Sequence, residues 1–273
     1  MKVQDKVWVV TGAGSGMGRS VVLELLRRGA RVAAVDLRDE GLQETATLVA
    51  ARDRLSTHVL DVTDRAAAAE LPAGVVAAHG RVDGLLNNAG IIQPFLPVEE
   101  LDDATIARVV AVNFQAPLDL CRAFLPLLRE RPQAHVVNVS SMGGFFPFPG
   151  QTVYGASKAA VKLLTEGLYA ELLDTDVRVS VVLPGAVNTA ITANSGVAEP
   201  DVGEGSVPMT TAERAARIIV DGIEKDRLHI YVGADAKAMS LAIKVAPRLA
   251  IRFVQRQMAK RMGSMISAGS GNT

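Results

Sequence analysis

Tyr154 and Lys158 stand four residues apart at the start of a stretch, running to about Leu173, whose apolar residues recur at helical spacing. On a helix this puts both on one face, about 5–6 Å apart at Cβ, so a phenol lies beside an ammonium. A free phenol has a pKa of about 10, too high for a base near neutrality, and a neighbouring cation lowers it. Such a pair can take a proton from a hydroxyl or return one to a carbonyl oxygen. By itself the pair is common by chance. Two further positions strengthen it. Ser140 and Ser141 end the apolar run His135–Val139, at a carboxyl end where open α/β sheets place their sites. Asn113 lies inside a helical stretch, Ala104–Leu128, where asparagine has no propensity reason to stand. It is either part of the site or a solvent-facing or interface residue.

A second constellation lies near the N-terminus. The run Val7–Val10 leads into Thr11-Gly12-Ala13-Gly14-Ser15-Gly16-Met17-Gly18, and a helical pattern follows. A glycine-rich turn between strand and helix suits a phosphate, because the backbone comes close and the helix end offers free N–H groups. The spacing fits neither G-x-G-x-x-G nor the P-loop, which needs Gly-Lys-Ser/Thr. It fits Thr-Gly-x-x-x-Gly-x-Gly at residues 11, 12, 16 and 18. Asp36 closes the next apolar run, where a carboxylate can accept hydrogen bonds from ribose hydroxyls. The alternative reading of Asp36 is a solvated turn residue.

Strands and helices alternate so as to position these groups. Short β-branched runs fall at Val7–Val10, Arg31–Val35, Thr57–Leu60, Gly84–Leu86, His135–Val139, Val177–Leu183 and Leu228–Val232, with helical spacing between most of them. This predicts a parallel sheet covered on both faces, a doubly wound α/β domain over residues 1–235. Hydrophobic residues make up 49% of the 273, enough for a large core. The 29 basic and 29 acidic residues balance, which argues against attraction of the whole protein to nucleic acid or membrane. The single cysteine, Cys121, excludes an internal disulfide framework and a thiolate metal site, and no metal is expected. With no secretory pattern at Met1–Asp5 and no run of 18 apolar residues, the expected location is cytoplasmic.

Taken in order, Thr11–Gly18, Asn87-Asn88-Ala89-Gly90, Asn113, Ser141, Tyr154-x-x-x-Lys158 and Pro184-Gly185 resemble the single-domain branch of the short-chain dehydrogenases/reductases. The resemblance covers roughly residues 5–235. It implies a Rossmann-like sheet of seven strands and a catalytic tetrad of Asn113, Ser141, Tyr154 and Lys158. Ser141 is preferred to Ser140 because the family serine usually lies 13 residues before the tyrosine. The resemblance further implies cofactor contacts from Gly12, Ser15, Gly16, Met17, Gly18, Asp36, the pair Asp61-Val62, Asn88, Ala89, Gly90, Tyr154 and Lys158. On the nicotinamide side it implies Pro184, Gly185, Val187 and Thr189. Tyr154 would act as acid or base on the substrate oxygen, Ser141 would hold that oxygen, and Lys158 would lower the phenol pKa and hold the nicotinamide ribose. Asn113 would position a water leading from Lys158 to solvent. The four histidines, His58, His79, His135 and His229, match no catalytic position and read as structural. The expected cofactor is NAD rather than NADP. A 2′-phosphate would face Asp36, and Ser15 and Leu37 stand where NADP-preferring relatives often carry a basic residue. Arg38 is the one signal the other way.

The substrate is expected to be an apolar alcohol or ketone, steroid-like, lipid-like or aliphatic. Phe145-Phe146-Pro147-Phe148-Pro149-Gly150 reads as a greasy wall beside the reacting carbon, with a packed loop or an interface patch as the alternative. Ile191–Thr211 matches the mobile substrate loop, its acids Glu199, Asp201 and Glu204 being solvated. Apolar helices at Ala104–Leu128 and Val153–Leu173 imply a homo-oligomer, a homotetramer by resemblance. Residues 236–273 read as a basic helical extension. They hold Lys237, Lys244, Arg248, Arg252, Arg256, Lys260 and Arg261 and no acid, so the rest of this neutral chain carries a net charge of −7. In projection Met239, Ile243, Ala246, Ala250, Phe253 and Val254 share a face, while Leu241, Val245 and Leu249 fall among the basics. Pro247 begins a second helix or kinks a single one. The extension would pack on the acidic body of the same or a neighbouring subunit, or make a peripheral contact with an anionic membrane. Ser267–Thr273 reads as a disordered tail.

Overall fold

The structure, a computed structural model, describes residues 1–189, 191–197 and 209–256. Seven strands, β1 (Val7–Thr11), β2 (Arg31–Asp36), β3 (Leu55–Val59), β4 (Gly84–Asn87), β5 (Ala134–Val139), β6 (Val177–Pro184) and β9 (His229–Val232), form one sheet in the order β3-β2-β1-β4-β5-β6-β9. Every pairing in it is parallel. Two short strands, β7 (Val187–Asn188) and β8 (Thr210–Thr211), pair separately. A parallel sheet must be covered on both faces, and the alternation of side chains along β1 shows how. Trp8 and Val10 join the core with α1 (Gly16–Arg27), α2 (Asp39–Thr47) and α8 (Ala212–Glu224). Val7 and Val9 join the core with α3 (Arg65–His79), α5 (Ala116–Arg129) and α6 (Thr152–Glu171).

The predicted stretch Ala104–Leu128 is one helical rod of three parts. α4 (Asp103–Val110) runs into a π-helical segment, Ala111–Gln115, which runs into α5. Such an expanded turn is rare and recurs at functional sites. Two further helices are α7 (Ile191–Ser195) and α9 (Ala234–Val245). α9 is rooted in the body, since Ala236 is fully buried and the Asp235 carboxylate accepts the Ala186 N–H at 2.7 Å.

A second helix covers residues 247–256, starting at Pro247. Ala246 between the two has φ −143° and ψ 68°, outside the helical region, as expected of the residue before a proline. That break re-phases the second helix. Val254 is buried as expected, but Phe253, expected on the same inward face, is 58% exposed. Residues 198–208, with Glu199, Asp201 and Glu204, and residues 257–273, with Lys260, Arg261 and the expected disordered end, lie outside the described residues.

Candidate active site

β1 and β4 are neighbours, while β2 and β5 lie on their outer sides, so the chain reverses its direction of travel across the sheet between β1 and β4. In open α/β sheets ligands bind beyond the carboxyl ends of the strands at such a point. A cavity of about 610 Å³ lies there. It is lined from the ends of β1 (Gly12), β2 (Asp36), β4 (Asn88–Gly90), β5 (Ser141) and β6 (Pro184-Gly185). Every residue assigned from the sequence to the tetrad or to the cofactor borders this cavity except Asn113, which is buried just behind it.

The glycine turn is shaped by what a side chain would do there. Gly12 and Gly16 have φ of +66° and +51°, a region that L side chains rarely adopt. A methyl on Gly18 would collide with the Gly12 carbonyl and stand 2.5 Å from Asn88 Nδ2. Asn88 Nδ2 in turn donates to the Thr11 carbonyl at 3.0 Å, and Thr11 Oγ1 accepts the backbone N–H groups of Asn88 and Ala89 at 3.0 Å each. The ends of β1 and β4 are thus tied together around the turn. α1 begins at Gly16 with no side-chain cap from Ser15 and no acid in its first turn, which leaves N–H groups free for an anion. Beside the turn, Asp36 accepts the Gly14 N–H at 2.8 Å and the Arg38 N–H at 3.1 Å. Both oxygens are held at the cavity edge and keep lone pairs for further donors.

At the other end of the cavity the tetrad residues meet. Tyr154 and Lys158 are one turn apart on α6. Ser140 and Ser141 have separate work. Ser140 Oγ donates to the Lys158 carbonyl at 2.7 Å and is buried, a strut between β5 and α6. Ser141 faces the cavity, where its hydroxyl accepts the Gly143 N–H at 3.0 Å and hydrogen-bonds Tyr154. Burial raises the Tyr154 phenol above its ordinary value, and the Ser141 hydrogen bond opposes this. The expected lowering of the phenol by Lys158 is not part of this balance. Burial pushes Lys158 itself down to about 8, and its ammonium donates to the Val139 carbonyl at 3.1 Å. Asn113 sits in the π-helical segment, fully buried. Its Oδ1 accepts the Ile91 N–H at 2.9 Å, while Nδ2 donates to the Ile91 carbonyl at 2.9 Å and to Ser157 Oγ at 3.0 Å. The alternative of a solvent-facing or interface asparagine is therefore excluded. A methyl on Gly90 would lie 3.0 Å from Lys158 Nζ and 3.2 Å from Asn113 Oδ1, so both polar atoms converge on that glycine.

The phenylalanine segment differs from expectation. Among the described residues none of Phe145, Phe146 and Phe148 lines the cavity. Phe146 is fully buried against Phe148, their ring centroids 5.4 Å apart, and Phe145 meets Tyr231 edge-on at 6.3 Å. The segment is a packed loop, held by its own rings. Ile91, Ile92, Val187 and Ile191 are among the apolar residues that line the cavity instead.

Three residues were not singled out by the sequence. Asn194 on α7 accepts from Arg38 Nη2 at 2.6 Å and donates to Ser15 Oγ at 2.9 Å, spanning the cavity mouth. Arg108 on α4 lines the cavity as an exposed cation. Gln93, fully buried, accepts the Tyr154 N–H at 2.8 Å and donates to the Gly150 carbonyl at 3.1 Å. Its own carbonyl accepts from Gln151 Nε2 at 2.8 Å. None of the three sits at a spacing that distinguishes it from an ordinary loop or helix-surface residue.

The sequence profile of the short chain dehydrogenases matches residues 6–200. A 1-deoxy-11-beta-hydroxypentalenate dehydrogenase of Streptomyces avermitilis is 35% identical over 241 residues, which is 87% of this chain and 88% of that one. Among solved structures, a short-chain dehydrogenase/reductase from Burkholderia phymatum in complex with NAD superposes with a TM-score of 0.79 at 27% identity, over 94% of this chain and 96% of that one. A short-chain dehydrogenase from Burkholderia cenocepacia in complex with NADP gives 0.78 at 27% identity, over 93% and 99%.

Proposed function

Since the chain belongs to the short-chain dehydrogenase/reductase family and is therefore an NAD(P)-dependent oxidoreductase, we propose that it interconverts a secondary alcohol and a ketone on an apolar small molecule, with Tyr154 as acid and base and NAD as cofactor. The carrying observation is the convergence of Ser141, Tyr154 and Lys158 on the same cavity as the glycine turn and Asp36. The residues present suit the cofactor. The turn around Gly12, Gly16 and Gly18 leaves room for a pyrophosphate, Asp36 for the adenosine ribose, Asp61-Val62 for the adenine side, and Pro184 to Thr189 for the nicotinamide side.

A bound nicotinamide supplies or accepts the hydride, chemistry that no side chain of this protein offers. The protein's own groups handle the oxygen and its proton. For oxidation the Tyr154 phenolate takes the hydroxyl proton; for reduction the neutral phenol returns it. The Ser141 hydroxyl holds the same oxygen and stabilises charge developing on it. Lys158, brought to about 8 by burial, can exchange a proton near neutral pH, which suits it to pass the proton of Tyr154 onward. Asn113 fixes Ile91 beside it and, by family resemblance, holds a water on that path. Ile91, Ile92, Val187 and Ile191 favour an apolar substrate body.

NAD is preferred on two grounds. A 2′-phosphate would lie against the Asp36 carboxylate, and the guanidinium of Arg38, the nearest rescuer, is engaged by Asn194. The homologous structures carry NAD in one case and NADP in another, so the choice rests on these residues. No described helix is long and apolar enough to cross a membrane, and the cytoplasm is the compartment we propose. A homotetramer is supported by apolar side chains left open on the long helices, Val110, Leu163 and Tyr169 among them. The test of the activity is turnover of a panel of hydroxysteroids and aliphatic alcohols with NAD. Tyr154→Phe is expected to abolish turnover while cofactor affinity, read by the fluorescence of the reduced form, stays near normal. Lys158→Ala is expected to damage both. A Tyr154→Phe enzyme that keeps most of its activity would sink the mechanism.

A further inference from the structure

The two C-terminal helices hold to the body by one face only. Ala236, Ser240 and Val254 point inward and are buried. On α9 the opposite side shows Leu241 and Val245, 65% and 75% exposed; on the helix of residues 247–256 it shows Leu249 and Phe253, 69% and 58% exposed. Members of each pair are four residues apart, so each helix turns an apolar strip to the outside. Lys237, Lys244, Arg248, Arg252 and Arg256, all exposed, accompany these strips. No acid follows Asp235 in the whole remaining sequence. Leucine, valine and phenylalanine exposed together and framed by cations differ from the scattered apolar residues of an ordinary surface.

We propose that this face is a docking surface for an anionic lipid bilayer, with the apolar strips entering the headgroup boundary and the cations meeting lipid phosphates. Packing on the protein's own body does not account for the face, because these side chains are open while the inward face is already occupied. A second copy of the chain fits it poorly. A twofold contact centred on this face would set five cations against five. A face that pairs exposed leucine and phenylalanine with lysine and arginine matches the demands of an interfacial helix, which lies in the plane of the membrane without spanning it. The first of the two helices is rooted beside the site. α9 begins at Ala234, and Asp235 in its first turn bonds to Ala186, next to the cavity-lining Pro184-Gly185.

The experiment is vesicle flotation of the full chain at low salt. One set of vesicles is phosphatidylcholine alone, the other phosphatidylcholine with phosphatidylglycerol. The protein is expected to float with the anionic vesicles only and to be released by salt, since screening shortens the reach of surface charge. Arg248→Glu with Arg252→Glu is expected to lower the bound fraction by about fivefold or more for each cation removed. Leu249→Glu with Phe253→Glu is expected to lose flotation. All four positions are exposed and none lines the cavity, so turnover of a water-soluble alcohol should match the unaltered enzyme and certifies the fold. Absence of flotation with anionic vesicles would overturn the proposal. So would flotation that neither variant weakens. A third outcome also overturns it: no flotation, with the variants sedimenting as a smaller species, which would make the face a contact between copies of the chain.

Discussion

The protonation of Tyr154 is set by burial and by one neighbour, acting in opposite directions. Burial raises the phenol and the Ser141 hydrogen bond lowers it. Ser141→Ala removes the lowering partner, so the phenol moves further up. The phenolate limb of kcat/KM for alcohol oxidation is then expected to shift to more alkaline pH. Ketone reduction, which uses the neutral phenol, keeps its plateau to higher pH. Both directions also lose about 10²–10³ in rate, the usual cost of removing one donor to a developing oxyanion. pH–rate profiles in the two directions measure this, and profiles unmoved by the substitution would take Ser141 out of the role. At the far end of the cavity Asp36 is the residue to which we assign the choice of cofactor. The unaltered enzyme is expected to show a higher kcat/KM with NAD than with NADP, and Asp36→Ala is expected to shift the ratio toward NADP. A ratio that starts in favour of NADP, or does not move in the variant, contradicts the assignment.

At the scale of elements, the placement of Tyr154 depends on Gln93. This side chain satisfies the Tyr154 N–H in the first turn of α6 and the Gly150 carbonyl in the loop before it. Gln93→Leu keeps the bulk but strands both groups, at a cost of about 1–3 kcal/mol each. A lower melting temperature together with a lower kcat is the expected result, from thermal unfolding and steady-state kinetics on the same sample. A variant as stable and as active as the parent would show the clasp to be dispensable. Much of this level was legible in the sequence. Parallel buried strands read as apolar runs, so β1, β2, β4, β5, β6 and β9 stand within a residue or so of where hydropathy and β-branching put them. β3 starts two residues earlier than read, at Leu55, because an edge strand with half-exposed residues carries a weaker apolar signal. The π-helical turn around Asn113 was visible only as an asparagine out of place. No local propensity encodes an extra residue per turn, and the bonds to Ile91 and Ser157 that hold it there come from distant parts of the chain. Gln93 and Asn194 were illegible for the same reason, since their partners are brought to them by the fold. The phenylalanine loop was misread because aromatic composition marks burial without saying whether rings face a ligand or one another.

For the whole molecule, the apolar side chains left open on the long helices bear on assembly. Leu163 is 71% exposed, and Tyr169 and Leu173 are exposed further along the same segment. If this face is a subunit contact, Leu163→Glu buries a charge there and is expected to dissociate the assembly. Sedimentation at micromolar concentration should then show a tetramer for the parent and smaller species for the variant; a parent that is monomeric throughout refutes the tetramer. The strand order has a consequence for how the chain is made. β1 is the first strand to leave the ribosome, yet it ends in the interior of the sheet, with β2 on one side and β4 on the other. While synthesis has reached only β3, β1 can pair with β2, but its other edge has no partner. That edge carries Val7, Trp8, Val9 and Val10, fully apolar and destined for complete burial. A nascent chain that stops short of Gly84 thus presents an open, greasy strand edge of the kind that seeds aggregation. The gap from Thr11 to Gly84 sets the interval during which the growing protein needs shelter, and arrival of β4 ends it.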